Sequence, residues 1–154
     1  MKNGIIIVAL SLGFGSAYAQ KMKEADVPAA VKESFTKKYA GAKVEKWEKE
    51  GAEFEAEFDM NKEEMSASFD ASGNFLQAEV EIKVADLPKA VSEYVTKNLA
   101  GKKIKEASKI TDAKGVVMYE AEVGEADYIF DANGVFIKKE VETDKDDDDK
   151  KEKK

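Results

Sequence analysis

The sequence predicts an α+β fold made of two tandem α-β-β-β-β units, with helices packed on one face of antiparallel sheet and the other face open. Three observations carry the prediction. The stretch Val27–Val44, VPAAVKESFTKKYAGAKV, recurs sixty residues on as LPKAVSEYVTKNLAGKKI over Leu87–Ile104. Each copy is followed by a strictly alternating segment, Phe54-Glu55-Ala56-Glu57-Phe58 and Tyr119-Glu120-Ala121-Glu122-Val123. Matching turns come next, Asp70-Ala71-Ser72-Gly73 and Asp131-Ala132-Asn133-Gly134. Self-similarity at a nearly fixed spacing marks a duplicated structural unit.

The helices come first. Asp26 precedes Pro28 and Asp86 precedes Pro88; Asp is a good N-cap, and Pro is tolerated in a first turn that needs no N–H. Val31, Phe35 and Tyr39, like Val91, Val95 and Leu99, stand four apart and form one apolar stripe. Glu33 with Lys37, and Glu93 with Lys97, make favourable pairs at the same spacing. Gly41 and Gly101 stop each helix, read as left-handed C′ residues. Helices of about 12 residues are marginal alone, so each must lie on a sheet.

The sheet follows. Alternation with a period of two marks strands with one buried and one solvated face. After the first alternating strand of each unit come Met65–Phe69 and Tyr128–Phe130, then Leu76–Ile82 and Val135–Val141. Val44–Lys49 and Ile104–Ile110 are weaker opening strands. The offset between copies moves from 60 to 65 across Thr111–Gly115 and falls to 61 across the next hairpin. Insertions confined to loops are expected of a true repeat. The linker Ile82–Asp86 leaves little slack, so the two sheets sit side by side or continue as one. The units are accordingly placed at 20–83 and 84–142.

Both ends differ from these units. Lys2 and the apolar run Ile5–Leu12, followed by Ala17-Tyr18-Ala19, read as an export signal over residues 1–19, cleaved before Gln20. The run is well short of the roughly 20 apolar residues a membrane span needs. The mature chain is therefore expected to be periplasmic or secreted, with no membrane anchor. Residues 143–154 are nearly all charged and are expected to stay disordered, because such a run cannot bury enough apolar surface to offset the entropy of ordering.

Composition excludes whole classes of chemistry. All 25 basic residues are Lys, and His and Cys are absent. Without them the common nucleophilic triads and most zinc or redox-metal sites cannot be built, and without Arg there is no bidentate fork for phosphate. A net charge of −7 argues against nucleic acid. No enzyme, no cofactor and no metal centre is expected.

The candidate site is the open sheet face. Glu53, Glu55, Glu57, Ser66, Ser68, Gln77, Glu79 and Glu81 run out of phase with the buried set of the first unit. Glu120, Glu122, Asp127, Lys138, Glu140 and Glu142 do so in the second. Trp47, Phe75, Met118, Ile129 and Phe136 share that phase. Aromatic anchors rimmed by charge are how protein interfaces are built. One slip of alternation at a bulge turns such residues inward instead, so packing within the core stays open as an alternative.

An export signal followed by two units, each opening Val/Leu-Pro-x-Ala-Val and carrying Glu-Ala-Glu and then Asp-Ala-x-Gly, resembles the PepSY-like, β-lactamase-inhibitor-like family over Ala25 to about Glu142. The resemblance implies a bacterial periplasmic or secreted protein whose eight strands present a surface for gripping another protein. In inhibitors of this build the hairpin joining the middle strands of the first repeat reaches into the target. The matching segment here is Asp59-Met60-Asn61-Lys62-Glu63, which adds Asp59 to the candidates. The β-lactamase inhibitor itself has disulfide-bearing repeats, and this chain, lacking Cys, departs from that pattern. The expected function is a non-enzymatic binding or inhibitor-like module for a protein or peptide partner. An acidic cation-binding protein and a regulator of an extracellular protease are the alternatives.

Overall fold

The structure, a computed structural model, describes residues 19–141. The expected tail at 143–154, and the expected leader up to residue 18, lie outside the described residues. A short strand β1 (Ala19–Met22) is followed by α1 (Ala29–Lys38), β2 (Lys43–Glu50), β3 (Glu53–Met60), β4 (Glu63–Asp70) and β5 (Phe75–Ile82). The second unit repeats the order with α2 (Lys89–Asn98), β6 (Ala107–Asp112), β7 (Val117–Glu122), β8 (Ala126–Asp131) and β9 (Phe136–Val141). All nine strands pair antiparallel in chain order within one sheet. The units join where β5 pairs β6, from Gln77↔Asp112 to Ile82↔Ala107. The eight expected strands are present, and β1 is an unforeseen ninth.

The helix ends differ in detail from the sequence expectation. Asp26 and Asp86 do not cap the helices; each closes a single 3₁₀ turn, and Pro28 and Pro88 hold the N-cap positions. Gly41 is not a C′ residue. The Ala42 N–H donates to the Tyr39 carbonyl at 3.0 Å, closing a β-turn with Gly41 at its third position and φ +88°, the geometry of a type II turn. Glu93 pairs back to Lys89 at 2.9 Å rather than forward to Lys97.

Both helices lie on the same side of the sheet. Val31 and Phe35 of α1, with Tyr39 just after it, pack on Trp47, Phe54, Ala56, Phe58, Ala67 and Phe69. Val91 and Val95 of α2 pack on Ala107, Ala121, Tyr128 and Phe130. Ala78 touches the first cluster and Ile82 the second; four residues apart on β5, they project to one face. The units distribute aromatic bulk differently. Trp47 meets Phe35 edge-on at 5.8 Å, whereas the equivalent of Trp47 is the small Ala107 and the bulk is supplied by Tyr94 and Tyr128.

Asp70 and Asp131 build matching turns. Each Oδ1 accepts two backbone N–H groups, from Ser72 and Asn74 or from Asn133 and Val135, at 2.8–2.9 Å. Asp112 makes a third turn of this kind with Lys114 and Val116. The Asn74 side-chain amide, donating to Asp70 Oδ2 at 2.7 Å, and then the backbone bonds hold the Asp70 carboxyl below the usual range, and the backbone bonds, led by that from Val135, do the same for Asp131. The β3–β4 hairpin uses another device: Asn61 and Lys62 both have positive φ, at 56° and 72°, as in a type I′ turn. Lys62 carries a Cβ where Gly would be unstrained, so Lys62→Gly is expected to raise stability by about 1 kcal/mol. An unchanged or lower urea midpoint would contradict this turn assignment.

Candidate functional site

The sheet face opposite the helices is built by alternation. From β2 to β9 it carries Lys46, Glu48, Glu55, Glu57, Ser66, Ser68, Gln77, Glu79, Ser108, Ile110, Met118, Glu120, Glu122, Asp127, Ile129, Lys138 and Glu140, as the strand register requires. Rows run across the strands: Glu57 faces Ser66, Ser66 faces Glu79, Glu79 faces Ile110 and Ile110 faces Met118. Glu55, Glu57, Glu120 and Glu122 lie on this face as the alternation predicts. Asp59 lies on it too, exposed at the hairpin end of β3 and registered against Glu64.

Three of the predicted residues do not. Trp47, Phe75 and Phe136 point to the helix side. Trp47 is 5% exposed within the first core cluster. Phe75 packs edge-on against Phe69, with the Lys38 ammonium 3.8 Å from its ring centroid. Phe136 stacks on Tyr94 of α2 at 4.9 Å, interplanar angle 10°. The cause is the same in each case. Register shifts at Val44/Lys46, Ser68/Phe69 and Ile129/Phe130 insert one unmatched residue and invert the alternation beyond it. Met118 and Ile129 do lie on the carboxylate face, where with Ile110 they form a small apolar cluster of their own. Ile110 and Ser108 escaped the sequence reading, although the alternation in Ala107–Asp112 carries both.

The face is not the solvated surface that alternation suggested. Glu55, Glu79, Glu120 and Asp127 are only 1–4% exposed. Strands under 5 Å apart bring long side chains of one face into contact, and acids in mid-sheet lose water on every side. Lysines on and beside this face serve its other acids. Lys46 bridges Glu48 at 2.9 Å and Glu57 at 3.1 Å, Lys105 reaches Glu122 at 2.6 Å, and Lys138 reaches Glu140 at 2.6 Å. Burial works against the Lys46 ammonium, but its two carboxylates outweigh this and raise its pKa.

Glu79, at the centre, has no such cation. Neither of its carboxylate oxygens meets a hydrogen-bond donor among the described residues. Burial pushes its pKa up to about 7; the Ser108 hydroxyl tempers the shift without forming a hydrogen bond of normal geometry. Glu55 is raised well above the usual range by burial first and then by the charge of Glu79, while Ser66 draws it back. The Ser68 hydroxyl donates to Glu55 at 3.4 Å. At neutral pH this centre holds protons that ordinary carboxylates would have lost. Among the described residues no group of three or more acids gathers closely enough to hold a metal ion. Nor is any described helix long and apolar enough to cross a membrane.

A family model described as "Putative beta-lactamase-inhibitor-like, PepSY-like" matches the chain twice, over residues 16–77 and 60–138. The chain belongs to this family. Similar crystal structures agree with the fold. A DUF2874 family protein from Bacteroides uniformis is 20% identical with a TM-score of 0.64, over 74% of this chain and 88% of that one. A BLIP-like protein from Bacteroides fragilis is 23% identical at 0.60, over 78% and 90%. A protein from Bacteroides eggerthii described as "putative periplasmic" is 17% identical at 0.61, over 75% and 88%. At these identities the likeness is one of fold. No curated protein matches the chain.

Proposed function

We propose that this family member is an exported, non-enzymatic binding module that engages a protein or peptide through the sheet face opposite its helices. One observation carries the reading. That face sets the buried cluster Ile110, Met118 and Ile129 among carboxylates, of which Glu79 has both oxygens without a donor among the described residues, and neither feature serves the helix-side core. The acids that this face does expose, Asp59 and Glu81 among them, favour a partner of complementary charge. The absence of His, Cys and Arg leaves no familiar catalytic constellation. The leader-like first nineteen residues, and relatives described as periplasmic, support export.

Photo-crosslinking in living cells tests it. A photoreactive side chain at Asp59 or Glu81, both exposed on this face, is expected to yield the same adduct. One at Glu93, exposed on α2, is expected to yield none. Adducts from Glu93 alone, or equally from all three, would reject the proposed face.

A further inference from the structure

We infer that β9 is an open sheet edge that receives an extended segment of another protein as a further strand, and that this segment carries an acid with an apolar residue two places to either side. The surface is separate from the sheet face treated above and does not rest on it. Among the described residues β9 pairs only with β8. Its outer row of backbone N–H and C=O groups is therefore open to another strand.

Edges of soluble sheets are ordinarily kept short or charged. Here Ile137 and Val141 are 50% and 59% exposed, and Val135, just before the strand, is 61% exposed. Ile137 is also the residue that the shift at Ile129/Phe130 leaves without a register partner on β8. Lys139 stands midway between Ile137 and Val141 and is exposed too. Its ammonium lies 5.8 Å from the Tyr128 ring centroid and forms no ion pair with a described acid. The opposite edge differs: β1 has four residues and exposes Gln20 and Lys21.

Lys139 selects the occupant. A second copy of the chain fits poorly, because two-fold antiparallel pairing of β9 centred on Lys138, Lys139 or Glu140 sets that residue against its own copy. Like charges directly opposite repel, and the net charge of −7 adds to the repulsion. Centring the pairing on Ile137 or Val141 matches only one end of the strand. The chain's own outer segments do not fit either: residues 1–18 contain no acid, and residues 142–154 contain no apolar side chain. A foreign segment with an acid opposite Lys139 and apolar residues opposite Ile137 and Val141 satisfies all three positions. Main-chain bonds would supply affinity, and the side chains at alternate positions would supply selectivity. One lysine thus rejects a second β9 and admits an acid-bearing strand.

An NMR titration of the full chain tests this by its backbone amide shifts. The probe is a heptapeptide with a central glutamate, a valine two places to either side and threonine elsewhere; its comparison carries lysine at the centre. The glutamate peptide is expected to shift the amides of β9 and leave those of β1 unmoved. The lysine peptide is expected to bind roughly fivefold more weakly. Lys139→Glu should reverse that order, and the amide spectrum itself reports that the variant is folded. Unmoved β9 amides with the glutamate peptide, equal binding of the two peptides, or an unreversed order in Lys139→Glu would each overturn the proposal. So would sedimentation of the chain alone as a dimer that Ile137→Asp dissociates, which would assign the edge to a second copy.

Discussion

Gly73→Ala is expected to destabilise the protein by about 3 kcal/mol, and Gly41→Ala by only about 1 kcal/mol, although both glycines have positive φ. The two share the cost of placing a Cβ in left-handed backbone, at φ +82° and +88°. Only Gly73 adds a collision. A Cβ there would stand 2.5 Å from the Ala30 carbonyl oxygen and 2.8 Å from its carbon, whereas nothing lies within 4 Å of one at Gly41. The Ala30 atoms are helix backbone and cannot swing aside, so the β4–β5 turn must lift off α1. Gly134 repeats the arrangement under α2, with the Ala90 Cβ at 2.8 Å. For a chain of this size, about 3 kcal/mol lowers the melting temperature by roughly 10 °C. Equal losses at Gly73 and Gly41, read by circular dichroism, would show that the turn does not bear on the helix.

Glu79 governs the second large effect, and its sign is opposite to that of an ion-paired carboxylate. Its folded pKa of about 7 lies above the 4.5 of an ordinary glutamate, so between those values the folded chain keeps a proton that the unfolded chain releases. Stability is full below the unfolded value, falls as pH rises toward 7, and is level beyond. The loss is on the order of 3 kcal/mol for this one group. Glu79→Gln should therefore be more stable than the parent at about pH 8 and lose most of the slope between about pH 4.5 and 7. Glu55, raised for the same reason, leaves a residual slope that Glu55→Gln would remove. Urea unfolding across this range checks it. A parent protein whose stability rises from about pH 5 to 7 would mean that these carboxylates are solvated or paired. A site that destabilises its own fold at neutral pH is what a docking surface completed by another molecule predicts.

Local signals made much of the fold legible. The i, i+4 stripes placed α1 and α2, and the Glu-Ala-Glu alternations placed β3 and β7. Asp-x-x-Gly placed the hairpins, because the Asp carboxylate and the glycine's positive φ act within four residues. The carboxylates of the site were legible for the same reason: Glu55, Glu57, Glu120 and Glu122 sit in unbroken strands whose period of two is a property of the backbone. Trp47, Phe75 and Phe136 were misplaced because each lies just beyond a bulge, and a bulge depends on how two strands are matched rather than on either alone. Strand β1 gave no signal, being four residues long and overlapping the leader-like segment.

The chain by itself determined a duplicated helix-and-four-strand unit, the phase of its acids, and the absence of the side chains that most catalysis requires. Only the tertiary structure decided that β5 and β6 join both units into one sheet, which aromatics the bulges turn inward, and that Glu79 is buried with no donor to its carboxylate among the described residues. The division has a physical origin. Helical and strand periods and turn chemistry are set by neighbours in sequence, whereas register, burial and the proton affinity of a carboxyl are set by residues brought together from distant strands.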